Sequence, residues 1–268
     1  MTGRTFVTVG AGQTAAVAAR TLRRRGFDGR IVLIGDEPHA PYQRPPLSKE
    51  FLSGADTSDS LEILPPQWRA DNDIELLTGT EVVRVDTAAG RVELARGPAI
   101  DADAVLFATG GQPRRLPVPG PRPDLVHYLR TVDDARRLQA ALVPGRRIAI
   151  IGAGFIGLEI AATASTLGVD VTVLEVAAVP LAGVVGPRVG AEIARVHRDH
   201  GVSVRAGVAV DALHTTADGV VVTCADGTSV AADAVVVGIG ITPNTAVAAA
   251  SGLSVEGGIV VDAQGRTS

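Results

Sequence analysis

The chain has 268 residues, of which 46% are hydrophobic and 20% are charged, so it can bury a substantial core and is globular, not disordered. Its net charge of −4, without a basic excess, argues against nucleic acid as the main partner. A single cysteine excludes a disulfide framework, a CxxC redox pair and a cysteine-built metal site.

The first predicted element is a βαβ unit near the N-terminus. The stretch FVTVGAGQTAAVAARTLRRRGFDGRIVLIGDE holds a β-branched run, a glycine turn, an alanine-rich helix and a second apolar run that ends in an acid. The turn carries Gly10 and Gly12, with Ala15 at the third small position, which the dinucleotide-binding fingerprint allows. Asp36 is the acid that would accept hydrogen bonds from a ribose.

The same unit is repeated in IAIIGAGFIGLEIAATASTLGVDVTVLE, with Gly152, Gly154, Gly157 and the acid Glu175. In such a turn the first glycine makes the tight bend, the second lets the backbone approach a pyrophosphate, and the third lets helix and strand pack. A lone fingerprint is weak evidence and also fits an ordinary glycine-rich turn. Two fingerprints, each followed by helix, strand and acid, predict two dinucleotide sites.

Glu175 also bears on which nicotinamide nucleotide the second unit prefers. A carboxylate binds the free 2′-hydroxyl of NAD and repels the 2′-phosphate of NADP. The residues after it, Val176 to Ala178, offer no arginine to a phosphate. The sequence therefore favours NADH over NADPH.

The apolar stretches are not predicted to be membrane segments. The N-terminal stretch is interrupted by Gly10 and Gly12, unlike a signal peptide. Residues 148–169 are nearly uncharged over a length that could span a bilayer, but they include Glu159 and three glycines. We interpret them as a buried strand, turn and helix, and we expect a soluble, cytoplasmic protein with no membrane partner.

Three further groups of reactive or charged residues have plain structural interpretations. Cys224 lies between VVVT and ADGT and is predicted to end a strand, where it would be inert. His197 and His200 are one helical turn apart without a third ligand in view, so we predict surface residues and no metal site. Arg23 to Arg25 end the first helix, where they suit either helix capping or partner binding.

The order of motifs resembles a known family. Two dinucleotide units, with AVLFATGGQPRRLPVPG between them and DAVVVGIGITPN after the second, are similar to the FAD- and NAD-dependent pyridine nucleotide oxidoreductases. The segments GDEPHAPYQRPPLSK and YLRTVDDA resemble, within that superfamily, the putidaredoxin reductase-like and rhodocoxin reductase-like ferredoxin reductases of cytochrome P450 and ring-hydroxylating dioxygenase systems. The resemblance runs the length of the chain. It implies an α/β fold of two Rossmann-like three-layer domains, with an NAD domain (113–235) inserted in an FAD domain (1–112 and 236–268).

The resemblance assigns FAD to the first domain. Gly10, Gly12 and Thr14 would lie at its pyrophosphate, and Asp36 or Glu37 at the adenosine ribose. Val82 would offer its backbone to the adenine, and Thr109 and Gly110 would mark where the chain leaves the domain. The remaining implied FAD contacts are Arg44, Lys49 and Arg130.

NADH is assigned to the second domain. Lys49 and Glu159 are implied to act beside the flavin and the nicotinamide. By local pattern alone, Lys49 also fits a solvated lysine at the start of a helix, and Glu159 a buried acid paired within the core. The implied NADH contacts are Gly152, Gly154, Phe155, Ile156, Gly157, Glu159 and Glu175, together with Gly238, Ile239 and Gly240 at the return crossing.

The implied activity is NADH-dependent reduction, through FAD, of a 2Fe–2S ferredoxin that serves an oxygenase. The missing cysteine pair argues against the disulfide reductases of the same architecture. In the family, a strand ending in Gly-Asp and a C-terminal interface domain follow GIVVDAQGRTS, where this sequence ends. We therefore expect an incomplete FAD domain that holds FAD loosely. A non-catalytic nucleotide-binding remnant and a rubredoxin or nitrite reductase component stay open as alternatives.

Overall fold

The computed structural model describes residues 3–118 and 122–268, and the chain divides into two compact units. The first unit comprises the chain up to Gln43, with Leu61–Gln112 and Thr242–Ser268. The second unit comprises Arg44–Ser60 and Pro113–Ile241.

The elements of the first unit begin with a strand, a helix and a strand, as predicted. In chain order they are β1 (Thr5–Val9), α1 (Gln13–Arg24), β2 (Arg30–Ile34), α2 (Pro66–Asp71), β3 (Ile74–Leu77), β4 (Val82–Asp86), β5 (Arg91–Leu94), β6 (Ile100–Asp101) and β7 (Ala104–Phe107). Four strands form a parallel sheet in the order β3-β2-β1-β7, and β4, β5 and β6 form a separate antiparallel meander.

The two central strands of this sheet, β1 and β2, are buried on both faces, because helices cover one face and the meander covers the other. Val7 and Val32 pack with Val85 of the meander. On the opposite face Leu33 packs with Ala16 of α1, whose small side chain lets the helix approach the sheet closely. The alanine-rich composition of α1 thus follows from this packing.

The second unit follows the same plan on a five-stranded parallel sheet. Its elements are β9 (Val126–Tyr128), α3 (Val132–Ala141), β10 (Arg147–Ile151), α4 (Phe155–Thr166), β11 (Asp170–Glu175), α5 (Ala182–Asp199), β12 (Ser203–Ala206), the meander of β13 (Val210–Thr216), β14 (Gly219–Cys224) and β15 (Ser229–Ala232), and β16 (Ala234–Val237). The sheet order is β12-β11-β10-β16-β9. Cys224 ends β14 and is buried, as the sequence predicts.

The chain passes from the first unit to the second within β8 (Gly111–Pro113) and returns within β17 (Ile241–Pro243). After the return, α6 (Ala246–Ala250) packs on β4 of the first unit. Just after α6, Ser251 accepts a hydrogen bond at its Oγ from the Val85 amide, at 2.8 Å.

These boundaries differ from the predicted domain boundaries in two places. Residues 44–60 lie in the second unit, because Leu52 packs in the same core cluster as Ile160 of α4. The return crossing falls after Ile241, because β16 pairs with β10 as a strand of the second sheet. Which nucleotide each unit holds stays a prediction.

The repeat extends beyond the predicted βαβ segments to the strand that returns beside the first strand. In the first unit, Asp103 accepts a hydrogen bond at its carboxylate from the Thr5 amide at 2.7 Å, and its own amide donates to the Thr5 carbonyl. In the second unit, Asp233 makes the same two contacts with Arg147, both at 2.8 Å. Each aspartate thereby fixes the start of β7 or β16 against β1 or β10.

The predicted α/β fold of two Rossmann-like three-layer units is confirmed. Within the described ranges, no helix is long and apolar enough to cross a membrane.

Candidate dinucleotide-binding sites

The glycine turn of the first unit contains one glycine that the fold requires and one that has open space beside it. Gly10 has φ +104°, and a Cβ there would lie 2.2 Å from the carbonyl oxygen of Ala108. A Cβ on Gly12 would meet nothing within 4 Å. Ala15, at the third position, is fully buried. The backbone at Gly12 is therefore the part of the turn that a ligand can approach.

The turn of the second unit has the same division of roles. Gly152 has φ +101°, and a Cβ there would lie 2.5 Å from the carbonyl oxygen of Gly238. A Cβ on Gly157 would lie 2.1 Å from the Gly152 carbonyl oxygen, so this glycine permits the helix to pack on the turn. Gly154 has one neighbour within 4 Å, the Gly238 carbonyl oxygen at 3.8 Å.

Both turns lead into helix N-termini that suit an anion. Gly12 is the N-cap of α1 and Gly154 is the N-cap of α4, and neither helix has a side-chain cap or an acid in its first turn. Free N–H groups and the positive end of the helix dipole therefore face the open side of each turn. A pyrophosphate fits this set of donors.

The first unit contains a cavity of about 500 Å³ at the carboxyl ends of β1 and β2. Four residues predicted to contact FAD line it: Gly10, Asp36, Val82 and Thr109. A smaller cavity of about 260 Å³ shares Thr109 and is lined also by two further predicted residues, Thr14 and Gly110. The structure thus brings together six of the predicted FAD residues in the first unit.

The two candidate ribose acids of the first unit have different surroundings. Asp36 is exposed and faces the larger cavity. Glu37 is partly buried and accepts a hydrogen bond at its carboxylate from the Tyr42 hydroxyl. Of the two acids, Asp36 is therefore the one presented to the cavity.

Asn244 lines the larger cavity and was missed by the sequence reasoning. Its side-chain amide donates to the Thr109 carbonyl at 2.9 Å, and the Thr109 hydroxyl donates to the Asn244 carbonyl at 2.6 Å. These reciprocal bonds fix the turn after β7 against the returning chain. The signal in the sequence is the ITPN segment, in which the asparagine directly follows the proline that ends β17.

Glu175, the acid of the second unit, is bound to the backbone around its own turn. Its carboxylate accepts a hydrogen bond from the Ala153 amide at 2.6 Å and another from the Ala177 amide at 2.8 Å. Ala153 stands between Gly152 and Gly154, so Glu175 holds the glycine turn in place. Each of its oxygens keeps a second lone pair for a ribose hydroxyl.

The remaining residues predicted to bind NADH lie beside this turn. The Gly238 amide donates to the Ile151 carbonyl at 2.8 Å, which brings the segment after β16 against the start of the turn. Gly240, two residues on, has φ +103°. Phe155 and Ile156, the first two residues of α4, are 57% and 43% exposed. Exposed apolar side chains at this position suit contact with a ligand.

Lys49 and Glu159, both predicted to act beside the flavin and the nicotinamide, form a salt bridge, and that role stays a prediction. Lys49 Nζ lies 2.7 Å from Glu159 Oε2, and their side chains are 40% and 29% exposed. The neighbouring Ser48 donates its hydroxyl to the same oxygen at 2.5 Å. Ser48 ends a short 3-10 helix, Pro45–Ser48, and no α-helix follows it.

Arg44 and Arg130 also lie in the second unit, and not among the residues that line the cavities of the first. Arg44 Nη1 donates to the Arg130 carbonyl at 2.5 Å. The Arg130 amide in turn donates to the Asp134 carboxylate at 3.0 Å. The predicted contacts of these arginines and of Lys49 with FAD stay predictions.

Comparison with known proteins agrees with this geometry. Rhodocoxin reductase of Rhodococcus erythropolis is 45% identical over 98% of this chain, and putidaredoxin reductase of Pseudomonas putida is 40% identical over 98%. The chain spans 62% and 64% of the lengths of these two relatives.

Among solved structures, a covalent putidaredoxin reductase–putidaredoxin complex matches all of this chain and 66% of its own reductase chain, at 38% identity and a TM-score of 0.94. A ferredoxin reductase from Rhodopseudomonas palustris matches with the same TM-score at 39% identity, over 99% of this chain and 66% of its own. The family model for pyridine nucleotide-disulphide oxidoreductases matches residues 4–268. The chain belongs to the pyridine nucleotide-disulphide oxidoreductase family.

Proposed function

We propose that the protein is a flavoprotein oxidoreductase that passes electrons from NADH, through FAD, to a 2Fe–2S ferredoxin serving a cytochrome P450 or a ring-hydroxylating oxygenase. One observation carries the proposal: each unit has its own glycine turn, with an open second glycine, an uncapped helix N-terminus and an acid after the second strand. A chain with two such sites is built for two nucleotides.

FAD is proposed for the first unit. The turn at Gly12 would receive the pyrophosphate, and Asp36 would accept hydrogen bonds from the adenosine ribose. Val82, at the start of β4, lines the same cavity and would border the adenine. Bound FAD would supply the chemistry that nicotinamide lacks, because a flavin accepts a pair of electrons and releases them one at a time.

NADH is proposed for the second unit. The turn at Gly154 would receive its pyrophosphate, and Glu175 would accept hydrogen bonds from the ribose of the adenosine half. The Lys49–Glu159 pair would orient the reacting rings and balance charge there. Because NADH is the proposed donor, we propose the cytoplasm as the compartment.

Two observations support an iron–sulfur protein as the electron acceptor: the names of the relatives and the single cysteine of the chain. Two of the most similar relatives are named reductases of rhodocoxin and putidaredoxin, and others are named ferredoxin–NAD(+) reductase components of dioxygenase systems. Reduction of a disulfide substrate needs a nearby cysteine pair to relay electrons. The 268 residues contain Cys224 alone. A one-electron iron–sulfur acceptor suits a flavin without a thiol relay.

The test is reconstitution followed by anaerobic reduction. The purified chain is titrated with FAD, and binding is followed by the change in the visible flavin band. NADH is then expected to bleach the band, and an added ferredoxin to restore it while becoming reduced. A chain that takes up neither nucleotide would contradict the proposal and would favour a non-catalytic relative of these reductases.

A further inference from the structure

Ser48 is an unusual residue because it is polar, almost completely buried and bonded far along the chain. It is 1% exposed, and the one other polar residue so deeply buried among those described, Thr8, bonds locally to the carbonyl of Gly10. The Ser48 hydroxyl donates to Glu159 Oε2 at 2.5 Å, which is much shorter than its local contact with the Pro45 carbonyl at 3.4 Å. A buried hydroxyl keeps such a partner only where the surrounding structure fixes both groups.

The oxygen that accepts from Ser48 also forms an ion pair with Lys49. Lys49 Nζ lies 2.7 Å from the same Glu159 Oε2 and also donates to the Pro45 carbonyl at 3.2 Å. In the described part of the chain, Glu159 Oε1 accepts no hydrogen bond. Both of these contacts of the carboxylate are thus made by Oε2, and Oε1 makes none within the described residues.

The local backbone explains how two consecutive side chains reach one atom. Ser48 ends the 3-10 helix, and the next residue, Lys49, leaves helical geometry with φ −125° and ψ −110°. The Thr163 hydroxyl donates to the Ser48 carbonyl at 2.8 Å. Glu159 and Thr163 are four residues apart on α4 and share a face, so this face holds Ser48 by both its side chain and its backbone.

Lys49 and Ser48 differ in how firmly each can hold the carboxylate of Glu159. Lys49 has a flexible four-carbon stem and is 40% exposed, so water competes for its contact. Ser48 has one short, buried rotor and loses little freedom in holding its partner. The direction of the carboxylate is therefore set mainly by the serine.

We infer that Ser48 is a positioning residue for Glu159: its buried hydroxyl fixes the carboxylate so that Oε1 is presented to the nicotinamide end of NADH. This inference rests on the proposed function, because it takes the ligand of the second unit to be NADH. It adds a residue that acts through Glu159 without touching the ligand itself.

The test compares two ligands that differ in the nicotinamide. Dissociation constants for NADH and for ADP-ribose, which lacks that ring, are measured by calorimetry on the full chain. Ser48→Ala is expected to weaken NADH binding about fivefold or more, because a hydrogen bond to a charged group is lost. ADP-ribose binding should stay within about twofold of the unchanged protein, because Glu175 and the glycine turn are untouched.

Two further variants and a control sharpen the test. In Glu159→Ala, which removes the acceptor of the serine hydroxyl, adding Ser48→Ala should produce no further loss, because the serine acts through that carboxylate. Ser48→Cys keeps the size but replaces the hydroxyl with a weak donor, and it should resemble Ser48→Ala. Ser53→Ala removes an exposed hydroxyl bonded to the Glu50 carbonyl at 3.0 Å, and should change neither affinity.

Three outcomes would count against the inference. An equal loss of both ligands in Ser48→Ala and Ser48→Cys would show a general loosening of the unit. Unchanged NADH affinity in both variants, with a loss in Glu159→Ala, would show that Lys49 suffices. Failure of the unchanged protein to bind NADH would overturn the proposed function first, and the inference with it.

Discussion

At the scale of single residues, Asp36 and Glu175 occupy the same position of the repeat but have different surroundings. Asp36 is exposed in a cavity, whereas Glu175 accepts two backbone hydrogen bonds, one of them from Ala153 inside the glycine turn. In the first unit the acid would serve a ligand alone. In the second unit it would serve a ligand and also hold the turn that binds it.

The first prediction concerns Glu175. Because its carboxylate would repel a 2′-phosphate, the chain should bind NADH more tightly than NADPH. Glu175→Ala should weaken NADH binding by about tenfold or more, since lost hydrogen bonds to a charged group cost about 1.5–3 kcal/mol. Calorimetric titration with both nucleotides checks this.

The control for Glu175→Ala is Asp199→Asn. Asp199 is exposed at the end of α5, where it pairs with Arg195, and its loss should leave NADH affinity unchanged. Equal affinity of the unchanged protein for the two nucleotides would contradict the role given to Glu175.

The second prediction concerns Lys49 and Glu159. Their pair is partly exposed, so Lys49→Met and Glu159→Gln should each change the free energy of unfolding by less than about 1 kcal/mol. Both variants should nevertheless slow flavin reduction by NADH, which stopped-flow absorbance measures in the FAD-loaded protein. Arg136→Met, which removes an exposed ion pair with Asp133 in α3, is the control. Unchanged reduction rates in both variants would make the pair purely structural.

At the scale of elements, one glycine turn combines a position that the fold requires with an open position that a ligand could approach. Gly10 has a positive φ and no room for a Cβ, whereas Gly12 has φ −86° and open space. Alanine is strained at the first position and is compatible with the backbone at the second. The same contrast recurs in the second unit at Gly152 and Gly154.

The third prediction separates these two roles. Gly10→Ala should destabilise the protein by about 2 kcal/mol or more, because of the positive φ and the close Ala108 carbonyl. Gly12→Ala should change stability by less than about 1 kcal/mol but weaken FAD binding, because its methyl group blocks the approach of the pyrophosphate. Urea unfolding and titration of the flavin absorbance measure the two effects.

Gly183→Ala provides the matched control for that prediction, because Gly183 lies in α5 with nothing within 4 Å of a Cβ. It should affect neither FAD binding nor the fold. FAD binding by Gly12→Ala as tight as that of the unchanged protein would refute the role of the open glycine.

The fourth prediction concerns the aspartate that fixes β16 against β10. The hydrogen bond from Arg147 holds the pKa of the Asp233 carboxyl below its usual value. A lowered pKa in the folded state means that this stabilisation is present above about pH 4 and is lost as the pH falls below it. Asp233→Ala should therefore cost about 1–2 kcal/mol near neutral pH and less at about pH 3.

Urea unfolding of the unchanged protein and of Asp233→Ala, near neutral pH and at about pH 3, checks this expectation. Asp101→Ala, which removes the exposed ion pair with Arg91 in the first unit, is the control and should cost little at either pH. A cost of Asp233→Ala that grows as the pH falls would have the wrong sign and would contradict the explanation.

At the scale of the whole molecule, the sequence predicts what local patterns encode. The glycine turns, the alanine-rich helices and the apolar strands predict both βαβ segments, because each signal lies within about 30 residues of chain. Ser48 could not be predicted in its actual role, since its partner Glu159 lies 111 residues away. A serine before a short polar segment fits an N-cap equally well by local pattern.

The boundaries of the two units escaped prediction for the same physical reason. Leu52 lies in a short segment without apolar periodicity, and its place in the core beside α4 depends on contacts across more than a hundred residues. The reciprocal bonds between Thr109 and Asn244 likewise join distant parts of the chain. Residues that meet only in the tertiary fold carry no periodic signal.

The last prediction separates one-electron transfer from thiol chemistry for the whole molecule. The family shares its name with disulfide reductases, whose electrons pass through a cysteine pair, but Cys224 is single and 2% exposed at the end of β14. Cys224→Ala should therefore retain NADH-dependent reduction of ferricyanide and of a ferredoxin in the FAD-loaded chain, at a stability cost of about 1 kcal/mol for the small cavity. An alkylating reagent should label no thiol in the folded protein and one thiol after unfolding in guanidinium. Exposure of the folded protein to the same reagent should leave its activity unchanged. Loss of activity in a folded, FAD-loaded Cys224→Ala variant would mean that electrons leave through this thiol, and the iron–sulfur acceptor would have to be abandoned.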